Sequence, residues 1–288
     1  YLLIENVYFA YGQKEITQAL QENALRNKYK KEKKSDYTKR GLAISYRFIF
    51  DEEGLRVFAS VEEKQPAYIT SQKRGYIGVD LNVDHIAVAE TNHNGNLVNI
   101  RKYALNLYGK NQKQAKALIG DVVKELVGYA QSKKKPIIIE KLDFTAKKNA
   151  LKNSNPKYAR MLSSFAYTKT LEAIKARSYR FGVQIFEVNP AYTSLLGKIK
   201  FAKRYGLSVH HAAAFCIARR IAGFSETLPS HSDVPDGKGS YIAFSLPERT
   251  EKRFYWRYLG KVAKKLRMAH AEHFRVRNTQ SVGILVPT

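Results

Sequence analysis

The chain has 288 residues, 50 of them Lys or Arg against 25 Asp or Glu, for a formal charge of +25. So large an excess points to a polyanionic partner, while 44% hydrophobic and 12% aromatic residues exclude a disordered basic tail. The single cysteine excludes a disulfide framework and a Cys-rich zinc ribbon. There is no apolar run long enough to span a bilayer and no signal-peptide pattern, so the sequence reads as a folded cytoplasmic protein with nucleic acid, not a membrane, as its leading partner. The chain opens on Tyr1 without an initiator Met, which leads us to expect that a preceding segment is absent.

The length favours one large domain with appendages, or two domains. Residues 1–72 read as a small β-rich module. A helical stretch around Ile16, Ala19 and Leu20 leads to the basic run from Lys28 to Lys34. A hairpin follows, with Leu42 to Ile49 and Leu55 to Val61 joined by the turn Asp51-Glu52-Glu53-Gly54. Residues 73–224 change grammar to strands interleaved with helices, the pattern of an α/β domain. Strands are predicted over Tyr76–Leu81, Ile86–Glu90 and Leu97–Tyr103. The stripe Ile119, Val122, Leu126 and Tyr129 predicts a helix, and Pro136 to Ile139 a fully apolar strand that stops at Glu140. A helix over Tyr158–Phe181, a strand over Val183–Val188 and a last helix opening at Ser208 complete the order βββ-α-β-α-β-α. Residues 225–288 read as a loosened, basic C-terminal tail whose segment Arg249–Arg275 forms an amphipathic helix with Tyr255, Trp256, Tyr258 and Leu259 among cations.

Two residues in this domain carry chemistry. Asp80 interrupts an apolar strand and Glu140 ends another. A carboxylate is costly to bury unless a cation or basic partner compensates its desolvation. The element order makes the first and fourth strands neighbours in a ribonuclease-H-like sheet, which would bring the two acids together around paired Mg²⁺. Two strand-end acids that face solvent or pair with Lys are the alternative.

The ordered set Tyr76-Ile77-Gly78-Val79-Asp80-Leu81-Asn82, Ile137-Ile138-Ile139-Glu140-Lys141-Leu142-Asp143-Phe144, Val188-Asn189-Pro190-Ala191-Tyr192-Thr193-Ser194 and His210-His211-Ala212-Ala213-Ala214 to Arg219-Arg220 resembles the RuvC motifs of transposon-encoded OrfB/TnpB proteins, relatives of type V CRISPR effectors. The resemblance covers roughly 75–224, and residues 1–72 resemble the later part of that family's wedge domain. It implies an RNA-guided DNA endonuclease with a RuvC-like, ribonuclease-H-like mixed sheet. Guide RNA and target DNA would be its partners, and two Mg²⁺ or Mn²⁺ ions, without zinc, its cofactors. Asp80 and Glu140 match the first two catalytic acids.

The third position departs from the family pattern, with His210 standing where an acid is expected and His211 as the alternative ligand. Ser208 reads as the N-cap of this helix, which favours a neutral, metal-binding imidazole. The family's four-Cys ribbon is absent. In its place Lys198, Lys200, Lys203 and Arg204 alternate with Ile199, Phe201 and Tyr205 in what reads as a basic strand or loop. With Arg219 and Arg220, these are the candidate phosphate contacts. Cys216 lies on an apolar helical stripe and reads as core, and Asp143 as a turn acid or an accessory ligand. Two rivals accompany the nuclease: an RNA-guided DNA-binding protein whose nuclease has decayed, which His210 keeps open, and a DNA-strand-transfer transposase, since the same fold and acids serve DDE-type transposases.

Overall fold

A computed structural model of the chain describes residues 7–34, 41–52, 54–62, 66–141, 157–224, 226–248 and 255–282. It divides into two compact units, Tyr1–Pro66 and Ala67–Thr288.

In the first unit, helix α1 (Gln13–Lys31) turns Ile16 and Ala19 inward and places Lys28, Lys30 and Lys31 in its last turn, where the carbonyl end of the helix favours cations. The basic run is thus a helix terminus. Strands β1 (Ile44–Asp51) and β2 (Gly54–Val61) form the expected antiparallel hairpin, in register from Ile44↔Val61 to Asp51↔Gly54. Asn23 of α1 fastens Leu42 ahead of the hairpin through two 2.9 Å hydrogen bonds, donating to its carbonyl and accepting from its N–H.

The second unit is built on β3 (Ile77–Leu81), β4 (His85–Thr91), β5 (Leu97–Ala104), β6 (Ile137–Glu140) and β7 (Ile185–Val188). These form a five-stranded sheet in the order β5-β4-β3-β6-β7. The first three strands pair antiparallel, and β6 then joins β3, and β7 joins β6, in parallel. This is a mixed sheet of ribonuclease-H-like topology, as the element order predicts. Parallel neighbours require crossovers, which α2 (Gln112–Lys133) and α3 (Lys157–Arg180) supply. The alternation of strand side chains then assigns two faces. Ile77, Val79, Ile137 and Ile139 pack with Ile119, Val123 and Leu126 of α2 and Leu171 and Ile174 of α3. The opposite face carries Gly78, Asp80, Ile138 and Glu140, and is covered by α5 (Val209–Ile221), introduced by a short helix α4 (Thr193–Gly197). Ile138 and Val188 meet Ile217 and Ala218 there.

Helix α5 lies unusually near β3. A Cβ placed on Gly78 would be 2.0 Å from the carbonyl oxygen of Ala214, and one on Gly197 of α4 would be 2.5 Å from that of Ala212. Ala212, Ala213, Ala214 and Ala218, all buried, make that approach possible.

Two segments differ from the sequence reading. The predicted strand or loop through Lys198, Lys200, Lys203 and Arg204 is helical: α4 runs on into a π-helical turn, Lys198–Ala202, and a last turn, Lys203–Tyr205, that ends at Gly206 with φ 61°. Its alternation of basic and apolar residues mimics a strand, but the long stems of Lys198 and Lys200 leave Ile199, Phe201 and Ala202 free to bury one side of a helix. The segment after residue 224, read as a loosened basic tail with one helix, belongs to the second unit and contains a hairpin that the reading did not include. Strands β8 (His231–Pro235) and β9 (Tyr241–Ser245) form a hairpin, and α6 (Tyr255–Val282) follows. Val234 and Ile242 of the hairpin, Val262 and Leu266 of α6 and Ile199 of the π-helical turn share one apolar cluster, which binds the segment to the domain.

The close contact at Gly78 yields a stability expectation. Gly78→Ala should cost about 1–3 kcal/mol or more by overpacking, whereas Gly120→Ala, at an α2 position with open space around it, should stabilise by about 0.5–1 kcal/mol. Urea unfolding midpoints of the two variants should move in opposite directions.

Candidate functional site

Register brings the two acids together. β3 and β6 pair Ile77↔Ile137 and Gly78↔Ile138. Continuing the same offset sets Asp80 level with Glu140, both on the face that α5 covers. The Asp80 side chain is 12% exposed, so its carboxylate is largely removed from water. Its Oδ2 accepts 3.0 Å from Asn82 Nδ2 and 3.1 Å from His210 Nδ1. Helix α5 delivers His210: the Ser208 side chain accepts from the His211 N–H, caps the helix as the sequence predicts, and so places His210 in the first turn.

His211 is turned elsewhere. Its Nε2 donates to the Arg101 carbonyl at 3.1 Å and its Nδ1 lies 2.8 Å from Ser208 Oγ, so both ring nitrogens are engaged. Burial, the largest influence, holds its pKa below the usual imidazole range. Of the two candidate ligands, His210 is the one at the acids.

Four further side chains at the site had no role in the sequence reading. Thr193, at the start of α4 and 1% exposed, donates its hydroxyl to Glu140 Oε1. His85 is buried edge-on against His210, ring centroids 4.8 Å apart at 80°, and is held by Asp84 at 2.8 Å. That contact, foremost, keeps the Asp84 carboxyl below its ordinary range. Asn82 spans from Asp80 towards His85 Nε2, 3.5 Å away. On α3 the Tyr167 phenol is pushed well above its normal range, first by burial and then by the negative charges of Glu140 and Asp80. Thr193 lies in the quoted Tyr-Thr-Ser motif. Asn82 ends the first quoted motif, two residues from Asp80, whereas His85 and Tyr167 carry no local signal because only the fold brings them to the site.

The basic residues divide differently from the sequence reading. Arg219 donates from Nε to Glu226 and from its guanidinium to the Gly95 carbonyl at 2.6 Å. Lys200 Nζ lies 2.6 Å from the same Glu226, which is 6% exposed. Arg220 donates to the carbonyls of Asn189 and Ala191, bracing the turn that carries Thr193, and burial lowers its pKa. Lys198 Nζ sits 2.7 Å from His270 Nε2 and is depressed by burial. Lys203 pairs with Asp233 at the surface, and Arg204, exposed, lies over the Tyr205 ring. Cys216 is 3% exposed with its thiol pushed far up by burial, a core residue as read. Asp143 lies outside the described residues.

Among the described residues no three His, Cys, Asp or Glu side chains stand close enough together to hold a metal ion as placed. The donor types nonetheless suit one: two carboxylates on adjacent strands are hard oxygen ligands for a divalent ion, and His210 can add a nitrogen once it turns from Asp80.

A scan of protein-family models gives no match, and neither does a search of curated proteins. Among solved structures, RuvC of Thermus thermophilus is similar at 14% identity with a TM-score of 0.36, over 50% of this chain and 90% of that one. The Thermus thermophilus RuvC complex with a Holliday junction substrate gives 13% identity and a TM-score of 0.36, over 50% and 88%. A Cas12f1–sgRNA–target DNA complex gives 11% identity and a TM-score of 0.33, over 62% and 67%. The fold assignment rests on the strand order above and not on these likenesses.

The pairing of Arg219 and Lys200 with Glu226 sets a test of their role. Arg219→Leu strips a buried carboxylate of one partner and should cost about 3–5 kcal/mol in urea unfolding, while nucleic-acid affinity at matched fraction folded stays unchanged. Unchanged stability with weakened binding would return Arg219 to the surface role read from the sequence.

Proposed function

We propose that the protein is a metal-dependent nuclease acting on DNA, and more specifically an RNA-guided endonuclease of the OrfB/TnpB kind. The observation that carries the reading is the position of Asp80 and Glu140 on neighbouring strands, each two residues beyond the pair Gly78↔Ile138 and on one face, with Asp80 held by an amide and an imidazole. Half-buried carboxylates so arranged favour a cation. The resemblance of the ordered motifs and the +25 charge support a polyanionic substrate and an RNA partner.

Asp80 and Glu140 would hold the divalent ion, with His210 a further ligand. When bound, the ion supplies an activated water and offsets charge developing on the phosphodiester. The chain's own groups prepare the site. Thr193 fixes Glu140 through Oε1, and Arg220 fixes Thr193 through the carbonyls of Asn189 and Ala191. Asn82 fixes Asp80 through Oδ2. Such supporting contacts set the orientation in which a carboxylate meets a metal. The Tyr167 phenol feels the charge of both carboxylates and stays protonated at neutral pH.

The 3.1 Å contact between His210 and Asp80 favours a second reading, a nuclease-decayed, RNA-guided DNA-binding protein. Where the family carries an acid, a neutral imidazole brings a lone pair but no negative charge. Ion binding should therefore be weak and prefer Mn²⁺ over Mg²⁺. Strand transfer would be recognised by joined rather than freed DNA ends.

Asp80→Ala and Glu140→Ala should each abolish cleavage with the fold intact. Thr193→Val should lower Mn²⁺ affinity and cleavage by about 10- to 100-fold, with Thr193→Ser close to the parent. Calorimetric Mn²⁺ titration beside a cleavage assay reads both. His210→Asp should raise activity and His210→Ala remove it. A silent parent that stays silent as His210→Asp would establish the decayed reading.

A further inference from the structure

The chain has one tryptophan, and it is half in water: Trp256, on the first turn of α6, is 49% exposed. Helix α6 does not need it for docking, since Leu259, Val262 and Leu266 are buried at 0%, 0% and 6% exposure and supply the apolar contact. An indole left at the surface of a strongly basic chain thus has no packing duty that accounts for it.

Its surroundings give it one. The ring is stacked on Tyr192 with centroids 5.9 Å apart and planes inclined by 27°. The Arg220 guanidinium lies 5.8 Å from the indole centroid. Tyr192 has φ 61°, a left-handed conformation that L side chains seldom take. The other described non-glycine residues at positive φ, Lys33 and Lys134, follow the last turns of helices. Tyr192 instead precedes one, and the next residue, Thr193, holds Glu140. The same turn that orients the acid therefore aims an aromatic ring at Trp256. The exposed cations Arg257, Lys261, Lys264 and Lys265 lie on the same helix as the indole.

We propose that the Tyr192–Trp256 pair is a stacking platform for an unpaired base of single-stranded nucleic acid, set one residue along the chain from the group that orients Glu140. The argument rests on the nucleic-acid reading of the site and deepens it. Phosphates are attracted by the cations of α6 and by the net charge, but a base can extend an aromatic stack, and away from its ends a duplex covers every base face that an unpaired strand offers. Arg220, beside the indole and already braced against Asn189 and Ala191, lends the stack a cationic edge.

Because Trp256 is the sole tryptophan, its fluorescence reports the contact without a label. The full chain in EDTA is titrated with an oligothymidylate, an abasic oligonucleotide of equal length and a long duplex whose ends are few relative to its length, and binding is followed in parallel by anisotropy of labelled strands. The oligothymidylate should quench Trp256 emission. The abasic strand and the duplex should bind through phosphates and leave emission unchanged. Trp256→Ala should weaken oligothymidylate binding by about 5- to 150-fold, the range of one base–aromatic stack, and leave abasic binding as it was. Trp256→Phe should retain most of the affinity, which separates stacking from a folding defect. Equal quenching by the abasic strand, or an undiminished affinity in Trp256→Ala, would overturn the platform. If Asp80-dependent cleavage persists in that case, the nuclease reading survives it; if no strand binds at all, both fall.

Discussion

The site depends on how near α5 can come to β3. Gly78 and the run Ala212-Ala213-Ala214 remove every side chain that would hold helix and strand apart. The helix therefore rests against the strand's backbone, and its first turn reaches the end of that strand. His210 meets Asp80 for this reason, and not because of any attraction between the two, which at an exposed imidazole is modest. On the same face Ile138 and Val188 seat Ile217 and Ala218, fixing the far half of the helix. A larger residue at 78 or 214 would lift α5 and separate the imidazole from the carboxylate while leaving the sheet itself intact.

The second acid is positioned from the other side. Glu140 ends β6, and its partner Thr193 starts α4 after the turn from β7. Arg220 of α5 grips that turn through two carbonyls. Helix α5 thus governs both acids, Asp80 through His210 at its first turn and Glu140 through Arg220 at its last, and a shift of the helix would disturb both together.

Much of this was legible in the sequence, for identifiable reasons. Asp80 and Glu140 stand out because a carboxylate in an apolar strand violates the local pattern, and the order of strands and helices determines which strands become neighbours. Ser208 announces α5 because its capping chemistry is local. Lys198 to Ala202 misleads, since alternation with period two is also what a helix shows when long basic stems snorkel past a buried side. The hairpin of β8 and β9 hides because its few core residues, Val234 and Ile242, become apolar contacts only once α6 returns to cover them. Charge alone does not reveal which cations are paired. Lys200 and Arg219 look available in a +25 chain but converge on Glu226, far off in sequence for Lys200 and past a loop for Arg219. His85 and Tyr167 join the site only through folding and leave no signal in their own neighbourhoods, whereas Asn82 stands two residues from the acid it holds.

The central claim is that Asp80 and Glu140 share a divalent cation. A crystal of the full chain soaked in Mn²⁺, with anomalous scattering recorded at the manganese edge, tests it most directly. The account predicts an anomalous peak between the two carboxylates, absent in Glu140→Ala, with His210 either ligating it or swung away from Asp80. An empty position, with His210 Nδ1 still bonded to Asp80 Oδ2 at saturating Mn²⁺, would contradict it.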